Sequence, residues 1–86
     1  MTCELSTHAQ REMERRRIPL AIVEAVLASP GQRVPEQGDV VCYQSKVEIN
    51  HKLYLVRAMV NETTKPAKVV TVYRTSKISK YWKART

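Results

Sequence analysis

Two runs of alternating apolar and polar residues, Val40 to Ile49 and Lys52 to Val60, stand on either side of Asn50-His51. A two-residue break between such runs closes a β-hairpin. With that turn, residues whose numbers sum to 101 lie opposite each other and share a face. One face then collects Val41, Tyr43, Val47 and Ile49 with Tyr54, Val56, Ala58 and Val60. The other collects Cys42, Gln44, Lys46 and Glu48 with Leu53, Leu55, Arg57 and Met59. The first face needs a covering layer. The second is mixed, is expected to be the wetter one, and sets Arg57 across from Gln44.

The covering layer is expected to come from the N-terminal third. Thr7 and Gln10 have the spacing of a capping box that opens a helix through Arg17, with Ala9 and Met13 as its apolar stripe. His8 lies in its first turn, and Arg11, Arg15, Arg16 and Arg17 load the later turns, more than the helix dipole alone calls for. Pro19 suits the first position of a second helix running to Ala28, whose Ile22, Val23, Val26 and Leu27 repeat with the helical period. Ser29-Pro30-Gly31 ends it. Arg33 to Glu36 contains Pro35 and is therefore expected only as an edge strand.

After the hairpin, Asn61 to Ala67 reads as a polar loop, and Lys68 to Arg74 as a strand of almost wholly β-branched or aromatic residues. Ser76 is placed to cap a last helical turn with Ile78, Tyr81 and Trp82 on one side, a stripe that would dock the C-terminus. The expectation is one α+β domain over residues 1–86, with two N-terminal helices on one face of a small antiparallel sheet of about four strands and a short C-terminal helix. Cys3 and Cys42 have no Cys or His neighbour at metal-ligand spacing, and no cofactor is implied. No apolar run reaches membrane-span length, so a cytoplasmic location without membrane contact is expected.

Charge is distributed unevenly. Residues 1–62 hold eight basic and eight acidic side chains, whereas residues 63–86 hold seven basic ones and no acid. The formal charge of +7 thus belongs to Lys65, Lys68, Arg74, Lys77, Lys80, Lys83 and Arg85. Tyr73, Tyr81 and Trp82 are interleaved with them. A field of one sign attracts polyanions, and aromatic rings within it stack on unpaired bases, which favours RNA over duplex DNA. Arg74, Lys77, Lys80, Tyr81 and Lys83 are the nucleic-acid-binding candidates. The competing reading of this segment is a solvated basic surface.

Two groups of residues resemble a known family. His8-Ala9, Glu12-Met13 and Arg16-x-Ile18, then Ala25-Val26-Leu27-x-x-Pro30, resemble the opening of a family of small prokaryotic proteins, the DUF4258-type domains of unknown function. Val69 to Ile78 followed by Lys80-Tyr81-Trp82 resembles that family's ending, so the likeness spans about residues 6–82. The family in turn looks similar to the RelE/ParE-like toxins, in which two helices precede a twisted antiparallel sheet. That resemblance implies a toxin paired with a small antitoxin encoded nearby, acting on RNA or on messenger at the ribosome with basic and aromatic side chains and no metal. The sequence departs from the pattern at Glu12, where many relatives carry Arg.

Metal-free RNA cleavage requires a base for the ribose 2′-hydroxyl, an acid for the leaving oxygen and cations at the phosphorus. Within the resemblance, His8, Arg16, Arg57 and Tyr73 are the catalytic candidates. An imidazole moves protons near neutral pH, and guanidinium groups grip phosphate in bidentate fashion. Equally open are His8 as a helix-start residue, Arg57 as a half-buried group paired with Gln44 or Glu48, and the chain as a non-catalytic module that binds nucleic acid or protein.

Overall fold

The computed structural model describes residues 3–84, so Arg85 lies outside the described residues. The chain is an α+β protein with the order β1 (Cys3–Leu5), α1 (Thr7–Arg15), α2 (Leu20–Ala28), β2 (Gln32–Pro35), β3 (Val40–Ile49), β4 (Lys52–Asn61), β5 (Ala67–Thr75) and α3 (Ile78–Tyr81). The sheet has five strands in the order β1-β5-β4-β3-β2. The expectation of about four antiparallel strands is corrected on both counts. β1 is a fifth strand, and it pairs in parallel with β5, Leu5 opposite Val69.

The hairpin register follows the turn. Val41 faces Val60 and Gln44 faces Arg57, and Asn50 and His51 both have positive φ, 51° and 66°, as a tight primed turn requires. The expected core face is the one beneath the helices. Val56, Ala58 and Val60 are fully buried with Ala9 of α1 and Val23 of α2, and Ile18 between the helices joins them. α1 lies along β5 and α2 crosses β3 and β4. Ala9 at the contact lets the α1 backbone approach the sheet closely.

Two boundary expectations are corrected by local hydrogen bonding. Ser6, not Thr7, caps α1: its hydroxyl accepts from Ala9 N at 3.0 Å and donates to Val70 O at 2.9 Å, tying the helix start to β5. The helix also stops short of Arg17, whose φ is +53°. Ile18 N donates to Met13 O at 2.9 Å and Arg17 N to Glu14 O at 3.2 Å. That pair of bonds is a Schellman ending, and the buried Met13 and Ile18 supply its usual apolar contact. One of the four arginines thus occupies a backbone position that usually falls to glycine.

The second face of the sheet is also covered, against expectation. Cys42, Gln44 and Leu55 have no exposed surface and Arg57 has 5%. The cover is the C-terminal segment, which leaves β5, makes the single turn α3 and returns across β3 to β2. Ser76 does not cap α3; Lys77 N donates instead to Thr75 Oγ1 at 3.1 Å, and Lys77 occupies the cap position. No helix among the described residues is long and apolar enough to cross a membrane.

Candidate nucleic-acid-binding site

Arg57 sits in the middle of β4, the central strand, on the face turned away from α1 and α2. Strand register sets Gln44 of β3 on one side of it and Tyr73 of β5 on the other. Its Nε donates to Gln44 Oε1 at 2.8 Å and its Nη1 to the Tyr73 hydroxyl at 2.5 Å. Nη2 lies 3.7 Å from the Glu36 carboxylate. The Tyr81 ring lies over the guanidinium, 4.4 Å from its centroid to Cζ. Tyr73 and Tyr81 meet edge to face at 6.4 Å. A buried guanidinium has five N–H groups to satisfy, and this arrangement supplies oxygen acceptors along one edge and an aromatic face above.

These contacts decide the protonation states. Burial works against the charge on Arg57, but the Tyr73 hydrogen bond and the nearby Glu36 carboxylate are among the contributions that outweigh it, and its pKa is raised. Burial also raises the Tyr73 phenol, against the opposing pull of Arg57. Cys42, buried beside Gln44, is raised by desolvation as well, so it stays a thiol. The cluster therefore offers a fixed cation and a protonated phenol.

Arg16 reaches the same place from the end of α1, its Cζ 5.9 Å from the Tyr73 ring centroid. It is not free: Nε bonds Glu12 Oε1 at 2.9 Å, and Arg15 approaches the same carboxylate at 3.6 Å. The Arg16 hydrogen bond holds Glu12 below the ordinary glutamate range. Glu12 thus takes up one of the cations facing the cluster.

Three of the four catalytic candidates, Arg16, Arg57 and Tyr73, come together. His8 does not join them. It is exposed at the opposite end of α1, about 12 Å of helix rise from Arg16. Among the binding candidates, Arg74 points to the helix-covered side, where its Cζ is 4.6 Å from the Tyr54 ring centroid, so it does not share a face with Arg57. Lys77, Lys80 and Lys83 are exposed, with Lys80 Nζ 5.3 Å from the Tyr81 ring centroid. Trp82 docks rather than projects: Lys46 Nζ lies 4.4 Å from its ring centroid, and the position of a Cβ on Gly31 would be 3.0 Å from its Cη2.

Two contributors, Glu36 and Gln32, have no clear sequence signal. The acid near Arg57 is Glu36 and not Glu48. Gln44 Nε2 donates to Gln32 Oε1 at 2.7 Å and to Tyr81 O at 3.2 Å. Gln32 in turn holds the backbone of Lys83, donating to its carbonyl at 2.8 Å and accepting from its N–H at 3.1 Å. Arg57 does pair with Gln44, one of the two partners expected for it, and the Gln44 side chain is in addition the junction of this network.

A larger cleft than any at the cluster's edge by Gln32 and Lys83 lies elsewhere. A volume of about 530 Å³ opens between α1 and the start of α2, lined by residues including Leu5, Met13, Glu14, Arg17 and Leu20. It is mostly apolar and contains none of the clustered cations or tyrosines, so polar chemistry places the candidate site at Arg57 and not there.

A sheet layered by two helices on one side, with a cationic and aromatic cluster under a short C-terminal segment on the other, defines a small two-layer α+β class of protein. Within it, the chain belongs to the family described as a domain of unknown function (DUF4258), matched over residues 5–74. The match contains Arg16, Arg57 and Tyr73 and ends before Lys77, Lys80, Tyr81 and Lys83. No curated protein and no solved structure matches the chain.

Proposed function

We propose that this protein binds RNA at the surface where β5 runs into α3. The observation that carries the reading is the convergence of Arg16 and Arg57 on Tyr73, beside Tyr81 and Lys80 of a C-terminal segment that has no acid beyond Glu62. Cations placed between aromatic faces are what single-stranded RNA engages: phosphates meet the charges, and bases stack on the rings. The test is anisotropy of a labelled single-stranded RNA against salt. Binding at low salt should weaken steeply as salt rises, because each neutralised phosphate releases counterion. Replacing Lys77, Lys80 and Lys83 together by Gln should flatten the slope, by about 0.7 for each phosphate no longer neutralised. Absence of binding at low salt, or an unchanged slope, refutes the proposal.

The Arg57–Tyr73 pair favours a second, more specific reading: a RelE/ParE-like toxin that cleaves RNA without metal and is held in check by a small antitoxin. A charged guanidinium stabilises a pentavalent phosphate, and a phenol that keeps its proton can protonate a leaving oxygen. What the cluster lacks is an unpaired base: His8 stands apart from it, and its carboxylates, Glu36 and Glu12, each face an arginine. RNA binding is therefore the conclusion, and cleavage is the reading that an assay on ribosomes has to add. A cytoplasmic site of action belongs to both.

A further inference from the structure

We propose that residues 77–83 form a strap that closes over Arg57 and is latched by Gln32, so that RNA reaches the guanidinium only when the strap lifts. The choice of RNA as the ligand rests on the reading above; the strap itself does not.

The strap covers much and is held by little. Beneath it lie Gln44, with no exposed surface, and Arg57, with 5%. The strap itself contributes no fully buried side chain, and α3 is a single turn without a buried residue. Its attachments are the two bonds between Gln32 and the Lys83 backbone, the bond from Gln44 to Tyr81 O, the bond from Lys77 N to Thr75 Oγ1, the Tyr81 ring against Arg57 and Tyr73, and Trp82 set between Gly31 and Lys46. Segments held by exposed polar bonds and half-buried rings belong to the part of a protein that opens at low cost. The helix-covered face of the sheet, with its continuous apolar core, does not.

Gln32 couples the latch to the site. Its Oε1 accepts from both Lys83 N, at 3.1 Å, and Gln44 Nε2, at 2.7 Å. Gln44 Oε1 is the acceptor for Arg57 Nε at 2.8 Å. Seating the strap and fixing the guanidinium are thus one hydrogen-bond network. The closed strap also brings Lys80 and Lys83 toward a face that already carries Arg57 and Lys46, cation against cation. A polyanion meets more cations in the open state, where Arg57 adds to the lysines, and this difference in affinity shifts the population toward opening.

The experiment uses the whole chain and two variants. Gln32→Ala removes the latch. Gly31→Ala leaves Gln32 in place but puts a methyl 3.0 Å from Trp82 Cη2 and 3.2 Å from Gln44 O, so that Trp82 must give by a few tenths of an ångström and the strap's seat is loosened; circular dichroism confirms folding of each. Arg57 exposure is read by an arginine-selective dicarbonyl reagent with peptide mapping, using exposed Arg11 as the internal reference. Relative to Arg11, Arg57 should react slowly in the parent chain and about tenfold faster in Gln32→Ala, which removes three hydrogen bonds. Single-stranded RNA should bind both variants several-fold more tightly, because the fraction of competent molecules rises. Unchanged Arg57 reactivity in both variants overturns the strap. Faster labelling with equal or weaker RNA binding overturns the gating and makes the segment part of the binding surface. If the parent and variants all fail to bind RNA while Arg57 labelling responds, the RNA reading falls and the latch stands.

Discussion

Arg57 and Tyr73 face each other across β4 and β5, and the guanidinium Nη1 donates to the phenol oxygen at 2.5 Å. The bond joins the two central features of the site, a buried cation and the aromatic ring beside it on the same face of the sheet, and it fixes both before any ligand arrives.

Tyr73→Phe keeps the ring but removes that acceptor, leaving a buried N–H unpaired. A loss of about 1–3 kcal/mol follows from such a change, and in a domain of this size each kcal/mol lowers Tm by about 4–8 °C. Thermal melting of the variant should show this. A shift under about 2 °C would mean that water takes the place of the hydroxyl, and that the pair contributes little to the fold.

The same pair marks how far the chain can be read by itself. The Asn50-His51 turn sets Arg57 opposite Gln44 by simple counting, because the alternation on both strands admits one register. Tyr73 cannot be placed by counting. The β4–β5 ladder slips between Met59 and Val60, and no short turn anchors it. β1 is illegible for a related reason: three residues carry no periodicity, and their partner is a parallel strand more than sixty residues away. The second face is deceptive because Gln44 and Arg57 look like solvent-facing residues. They are covered by a segment whose docking depends on Gln32 and Gly31, far away in sequence.

Ser6 and Thr7 offer a direct comparison. Ser6 Oγ serves both Ala9 N and Val70 O, whereas Thr7 begins the helix proper and is exposed. Ser6→Ala should cost about 0.5–2 kcal/mol, measured by urea denaturation. Thr7→Ala should stay within about 0.5 kcal/mol, as exposed substitutions usually do. Equal effects would mean that either hydroxyl can serve as the cap.

Arg17 holds a φ of +53° that a side chain adopts at a cost. Glycine removes the steric penalty, and the Schellman hydrogen bonds of Arg17 N and Ile18 N are retained. Arg17→Gly should therefore stabilise the protein by up to about 1 kcal/mol. It removes a positive charge as well, but one that is exposed and lines the apolar cleft between α1 and α2. RNA affinity should fall less than with Lys80→Gln.

Glu62 gathers the far edge of the sheet. Its carboxylate accepts from Arg33 Nη2 at 2.5 Å and from the Tyr43 hydroxyl, and these hydrogen bonds lower its pKa, Tyr43's contribution being the larger. A depressed folded-state pKa means that the stabilisation is present above the ordinary glutamate value of 4.5 and is lost as pH falls through the lower folded value. Between pH 7 and pH 3, Glu62→Gln should lose less stability than the parent chain. Parallel pH profiles would show that Glu62 makes no differential contribution.

Cleavage, if the protein performs it, should depend unequally on the two proton-bearing candidates. Tyr73 is bonded to Arg57, while His8 lies about two helical turns beyond Arg16. On purified ribosomes, Tyr73→Phe should lower the rate by on the order of a hundredfold, the usual contribution of one positioned acid. His8→Ala should change it by less than about threefold, and added chelator should leave it unchanged. The corresponding measurement in a bacterial host is growth and messenger integrity after expression of the chain alone. Arrested growth that Tyr73→Phe relieves and His8→Ala does not would support the toxin reading with the cluster as its site. A larger effect at His8 would move the chemistry to the start of α1, away from Arg57. Normal growth with intact messages, together with no cleavage on ribosomes, would leave an RNA-binding module whose tyrosine holds an arginine in place.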